Sequence, residues 1–104
     1  MSAPLDKAAL LARRFGVHDV EIEGVGVVQV RPLSRAEALA IQGVEMAPAE
    51  MERRLLAAAM VAPKLTEDEV GVWQENSPAG ELDPVGEAIL RLSGMSKDAA
   101  KSDV

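Results

Sequence analysis

The sequence predicts a mostly helical α+β domain, a short β-hairpin packed on a bundle of about four helices, preceded by an N-terminal helix. Three observations predict it. Helix-start signals recur along the chain, at Ser34-Arg35-Ala36-Glu37, Pro48, Thr66-Glu67-Asp68-Glu69 and Asp83-Pro84. Each supplies either an acceptor for the unpaired N–H groups of a first turn or a proline whose missing N–H costs nothing there. Hydrophobic residues make up 48% of the chain, yet Phe15 and Trp73 are its only aromatics. Ala, Leu, Val and Met must therefore fill the core, which suits closely packed helices better than a β-sandwich. Finally, short β-branched runs flank a glycine-rich turn, the pattern of a half-buried hairpin.

Taken in order, Leu5–Phe15 reads as a short helix. Leu5, Ala8, Ala9, Ala12 and Phe15 share a face, Asp6 lies in the first turn, Arg13 and Arg14 lie in the last, and Gly16 stops it. Val17–Ile22 is an edge strand in which Val20 and Ile22 alternate with acidic residues. Glu23-Gly24-Val25-Gly26 turns the chain, and Val27–Arg31 returns as the second strand, with Arg31 placed to pair with the acids opposite. Pro32 ends the strand and the Ser34–Glu37 capping box opens a helix to about Glu45, with Ala36, Leu39, Ala40 and Val44 on its apolar face. The next helix begins at Pro48 and carries the stripe Met51, Leu55, Ala58, Ala59 and Ala62 until Pro63 ends it. Thr66–Glu69 starts a short helix bearing Val70 and Trp73. Asp83-Pro84 starts the last, with Val85, Ala88, Ile89 and Leu92 inward and Gly94 as terminator. Residues 1–95 thus form one domain (17–31 the hairpin, 34–94 the helical body), and residues 96–104 read as a frayed polar tail.

The composition excludes several kinds of function. There is no cysteine, hence no disulfide or thiolate metal site, and His18 is the only histidine, without a second ligand or a nucleophile to serve. Gly24-Val25-Gly26 lacks the third glycine and the following helix of a nucleotide loop. Ser34 and Thr66 are used as caps, and Glu67-Asp68-Glu69 opposes a helix dipole rather than gathering a cation. The sequence therefore predicts no enzyme, no cofactor and no metal. No secretory leader pattern or membrane-length apolar run is present. The formal charge is −6, unevenly spread. Residues 1–35 hold five Lys/Arg against four Asp/Glu, and residues 36–104 hold six against thirteen. An acidic body disfavours a phosphate backbone and is compatible with a basic protein partner. Candidate partner-binding residues are Leu55, Trp73 and Ile89, together with Met60 near a helix end, since Trp and Met serve adaptable interfaces.

The order of features is similar to that of the small tail assembly chaperones of long-tailed bacteriophages and prophages. The resemblance covers about Val20 to Met95. It rests on R-P-L-S-R-A-E at Arg31–Glu37, on E-R-R-L…A-P-K-L-T-E-D-E-V at Glu52–Val70, and on P-A-G-E at Pro78–Glu81. It implies a non-enzymatic protein of the bacterial cytoplasm, absent from the mature virion. Such a protein binds the tape measure protein, keeps it soluble and helps recruit tail tube subunits. It also implies a family made in a short and a frameshift-extended form, of which the polar ending at Val104 fits the short one. The leading rival is a structural tail or connector component that forms a homo-oligomeric ring through the edge of the Val27–Val30 strand. A third reading is a regulatory protein whose acidic surface mimics nucleic acid, a reading weakened by the interspersed Arg53, Arg54, Lys64 and Arg91.

Overall fold

The structure, a computed structural model, describes residues 4–95. It is an α+β fold of five helices and a three-stranded antiparallel sheet. In chain order these are α1 (Lys7–Leu11), β1 (His18–Ile22), β2 (Gly26–Val30), α2 (Arg35–Gln42), α3 (Pro48–Ala59), β3 (Met60–Ala62), α4 (Glu67–Asn76) and α5 (Asp83–Leu92). The tail expected at 96–104 lies outside the described residues.

The hairpin forms as its sequence requires. Gly24 and Gly26 take φ of 79° and 148°, values that a side chain would resist, and Val25 N–H donates to the Ile22 carbonyl at 3.0 Å. Val20 then faces Val28 across the pair, while Asp19 faces Gln29, whose Nε2 donates to the Asp19 carboxylate at 3.2 Å. Ile22, Val28 and Val30 are buried, and Val27 lies exposed on the other face. The cross-strand partner of the acids is therefore Gln29. Arg31 turns away with the chain toward α2, where it finds a better-matched carboxylate.

A third strand was not expected. The α3 stripe was read as continuing through Ala62, but the helix ends at Ala59, and Met60–Ala62 pairs with β2. Proline disfavours the helical conformation in the residue before it, so Pro63 pushes Ala62 toward an extended backbone. β-Branched Val61 suits a strand as well. The strand order is β1-β2-β3, which makes β2 the central strand. β1 pairs along the whole of β2 on one side and β3 takes Gln29 and Val30 on the other, so only part of the Val27–Val30 edge that the ring-forming rival requires is open. The register slips between Gln29 and Val30, opposite Ala62 and Met60. Val61 is thus the extra residue of a bulge, a device that blunts an edge strand.

The core gathers Val30, Leu56, Ala59, Val70, Val85 and Ile89, all fully buried, with Ile22, Leu55 and Met60 beside them. Each of these side chains larger than alanine contributes about 1.5–3 kcal/mol. Helix α5 packs against both β1 and α3, and α3 packs against α4. The last helix ends as predicted. Gly94 takes φ 76°, its N–H donates to the Arg91 carbonyl, and Met95 N–H donates to the Leu90 carbonyl at 2.8 Å, a Schellman closure. Its start differs slightly. Asp83 is the first helical residue and Leu82 the cap, with no side-chain cap hydrogen bond.

Two expected helices are shorter than predicted. Helix α1 stops at Leu11 rather than running to Phe15, and none of its residues is buried. Arg14 Nη1 takes the carbonyls of Ala9, Leu10 and Ala12 at 2.8, 2.8 and 3.1 Å, so the terminus is closed before Gly16 is reached. Helix α2 ends at Gln42, with Gly43 as cap.

Candidate protein-binding surface

The three segments that carry the resemblance are built into the architecture. In Arg31–Glu37 the first and last residues form a two-pronged ion pair, Nη1 to Oε1 at 2.9 Å and Nη2 to Oε2 at 2.7 Å. Ser34 accepts from Glu37 N–H at 3.1 Å, and Glu37 Oε1 accepts from Ser34 N–H at 2.8 Å, completing the capping box. Arg31 also donates to the carbonyls of Pro32 and Ala58, tying the β2–α2 junction to α3. The hydrogen bonds from Arg31 hold the Glu37 carboxyl at about 2, against the opposing effect of partial burial, and Glu37 in turn raises the Arg31 guanidinium.

In the second segment Thr66 and Glu69 make the other capping box, Val70 enters the core, and Arg54 lies 3.3 Å from Glu50. In the third, Glu81 accepts the Trp73 indole N–H at 2.7 Å. Trp73 is half-buried, packed on the core with its polar edge held by Glu81. Of the other candidate contact residues, Leu55 is 7% exposed, Met60 2% and Ile89 0%. Met60 was expected near an exposed helix end. It is buried because it begins β3, paired with Val30, where its side chain joins the core. None of these three offers its side chain to a partner.

The exposed apolar surface lies elsewhere. The predicted apolar face Ala36, Leu39, Ala40 and Val44 points to solvent, with Leu39 51% and Val44 47% exposed, Val44 lying just past the Gly43 cap of α2. Helix α2 buries Ile41 instead, with Ala38 packed beside it. The rotation follows from Glu37. Its bond to Arg31 turns that side of the helix toward the sheet and α3, and Ile41 lies one turn on, on the same side. The result is an i, i+3, i+4 apolar stripe on α2, continued by Val44 past its cap, without cover among the described residues. The sequence pattern marks these residues as the apolar face of one helix and does not say what covers it. Leu5, Leu10, Leu11, Val17 and Val72 are also exposed, and Met51 marginally so.

His18 is exposed on β1, and among the described residues no group of three or more His, Asp or Glu is placed to hold a metal. No described helix is long and apolar enough to cross a membrane. A shallow polar groove of 530 Å³ runs along α4 past Arg53, Asp68, Val72 and Glu75. Comparison with protein families, curated proteins and solved structures finds no match to this chain.

Proposed function

We propose that the chain is a non-enzymatic tail assembly chaperone of a long-tailed bacteriophage or prophage. It binds the tape measure protein in the bacterial cytoplasm, keeps it soluble and helps bring tail tube subunits to it. The observation that carries this reading is the outward apolar face Ala36-Leu39-Ala40 of α2, with Val44 exposed just past its Gly43 cap, on the helix that the R-P-L-S-R-A-E segment launches. A long helical partner presents apolar faces that must be covered before assembly. A stripe at helical spacing covers such a face by packing helix on helix. The resemblance over Val20–Met95 supplies the identity of the partner.

Co-expression with the tape measure protein of the same tail gene cluster tests it. The wild-type chain is expected to raise the soluble fraction of the tape measure protein and to co-purify with it. The double variant Leu39→Asp, Val44→Asp is expected to keep its circular dichroism spectrum and lose both effects. Absence of rescue by the wild-type chain would remove the chaperone function. Rescue by the double variant would move the contact away from α2.

A further inference from the structure

A second surface differs from the α2 stripe in both place and charge. The segment that follows α1 lies against the β2–α2 junction and β3, and a cavity of 320 Å³ opens between them. Phe15, Val17, Met60 and Val61 form its apolar lining, and Arg13, Arg31 and Lys64 supply three cations. Arg13 stacks over the Phe15 ring at 4.6 Å from its centre, and Arg31 approaches the same ring at 5.3 Å. Arg31 is already neutralised by Glu37 at 2.7 Å. Arg13 and Lys64 have no ion-pair partner among the described residues, on a chain whose formal charge is −6. Exposed cations beside an apolar floor on an otherwise acidic protein define their ligand by complementarity.

We propose that this cavity is a recognition site for an acidic peptide segment, one that sets carboxylates beside a large apolar side chain. The apolar side chain fills the space over Phe15, Val17 and Val61. The flanking carboxylates meet Arg13 on one side and Lys64 on the other, where charge-assisted hydrogen bonds are stronger than neutral ones. The volume lies at the small end of ligand cavities and holds a side chain or two, not a folded surface. Nucleic acid fits less well. A phosphodiester chain would bring many charges past an acidic body, and the apolar floor has nothing to offer the phosphates. The site is independent of the chaperone reading and of the α2 stripe, and its test contains no tape measure protein.

The probe is a fluorescein-labelled peptide of repeating Glu-Leu-Asp triplets, titrated by fluorescence anisotropy, with its Lys-Leu-Lys counterpart as control. Binding to the acidic peptide alone is expected, weakening as salt is raised. The double variant Arg13→Glu, Lys64→Glu changes two exposed side chains and should leave the thermal transition unchanged, while lowering affinity about tenfold or more. In ¹H–¹⁵N spectra the peptide should shift the amides of Phe15, Gly16 and Val61. The proposal is overturned if the control peptide binds equally, if the reversed variant binds as the wild type does, or if the shifts map to α2. It is equally overturned if a labelled oligonucleotide binds more tightly than the peptide. Self-association of the wild-type chain that disappears in the reversed variant would also overturn it, assigning the cavity to a second copy of the chain.

Discussion

Helices α2 and α5 make an instructive pair. Both start from a clear signal, both carry an apolar stripe at helical spacing, and the sequence alone does not say what covers either. The structure buries one and exposes the other. Val85 and Ile89 of α5 are fully buried against the sheet and α3, whereas Leu39 of α2 and Val44 just past its cap are about half exposed. Periodicity therefore establishes that a helix has an apolar face, but not which neighbour covers it. On α5 the neighbour is within the chain. On α2 the Arg31–Glu37 ion pair sets the rotation, and the stripe is left for something else.

Mutations at equivalent positions on the two helices would sharpen the contrast. Ile89→Ala is expected to cost about 3–4 kcal/mol of stability, measured by urea unfolding, because it leaves a cavity in a closed core. Acid should act through the pair that rotates α2. Glu37 falls from 4.5 in the unfolded chain to about 2 in the fold, so its contribution is complete above pH 4.5 and is lost as the pH drops toward 2. The full shift corresponds to about 3 kcal/mol, and solvent around a carboxylate that is 32% exposed reduces this to about 1–2 kcal/mol. Glu37→Gln should flatten the pH dependence of the melting temperature over that window. An unchanged profile would remove the ion pair as the device that orients α2. Trp73→Phe keeps the ring in the core but loses the hydrogen bond to Glu81, for about 1 kcal/mol in thermal unfolding. The smallest effect belongs to Leu39→Ala, expected within about 0.5 kcal/mol of wild type because the side chain is already in water. A loss at Leu39 comparable with that at Ile89 would erase the distinction between the two helices.

Much of the fold was legible because its signals are local. Both capping boxes, the glycine turn and the Gly94 terminator act within a few residues of themselves, and each forms as written. The misreadings occur where a distant partner decides. The A-A-A-M-V-A run continues a helical pattern, and only Pro63 and Val61 hint that it must straighten into β3. Arg31 could not be assigned to Glu37 rather than to the hairpin acids without knowing how the chain turns at Pro32. For the candidate surfaces, the α2 residues are visible as an apolar face, but their exposure is decided by the distant Arg31 contact and is not legible. The basic cavity is not legible because Lys64 is brought toward Arg31 by the pairing of β3 with β2, and Arg13 by the docking of Phe15 against Arg31.

Ser93, at the end of α5, has a bearing on the order in which the chain can be completed. Its hydroxyl accepts the Leu33 N–H at 2.8 Å and donates to the Ile89 carbonyl at 2.6 Å. The last helix thus closes a loop that spans most of the described chain, and the same helix covers the inner face of the first strand. During synthesis, Ile22 and its neighbours in the hairpin must wait for that helix before they leave water. The hairpin and the first helices cannot mature as an independent unit, and a nascent chain halted before α5 would present its apolar sheet face to whatever is nearby. A protein proposed to shield the apolar faces of another chain is itself exposed until its own final turn has left the ribosome.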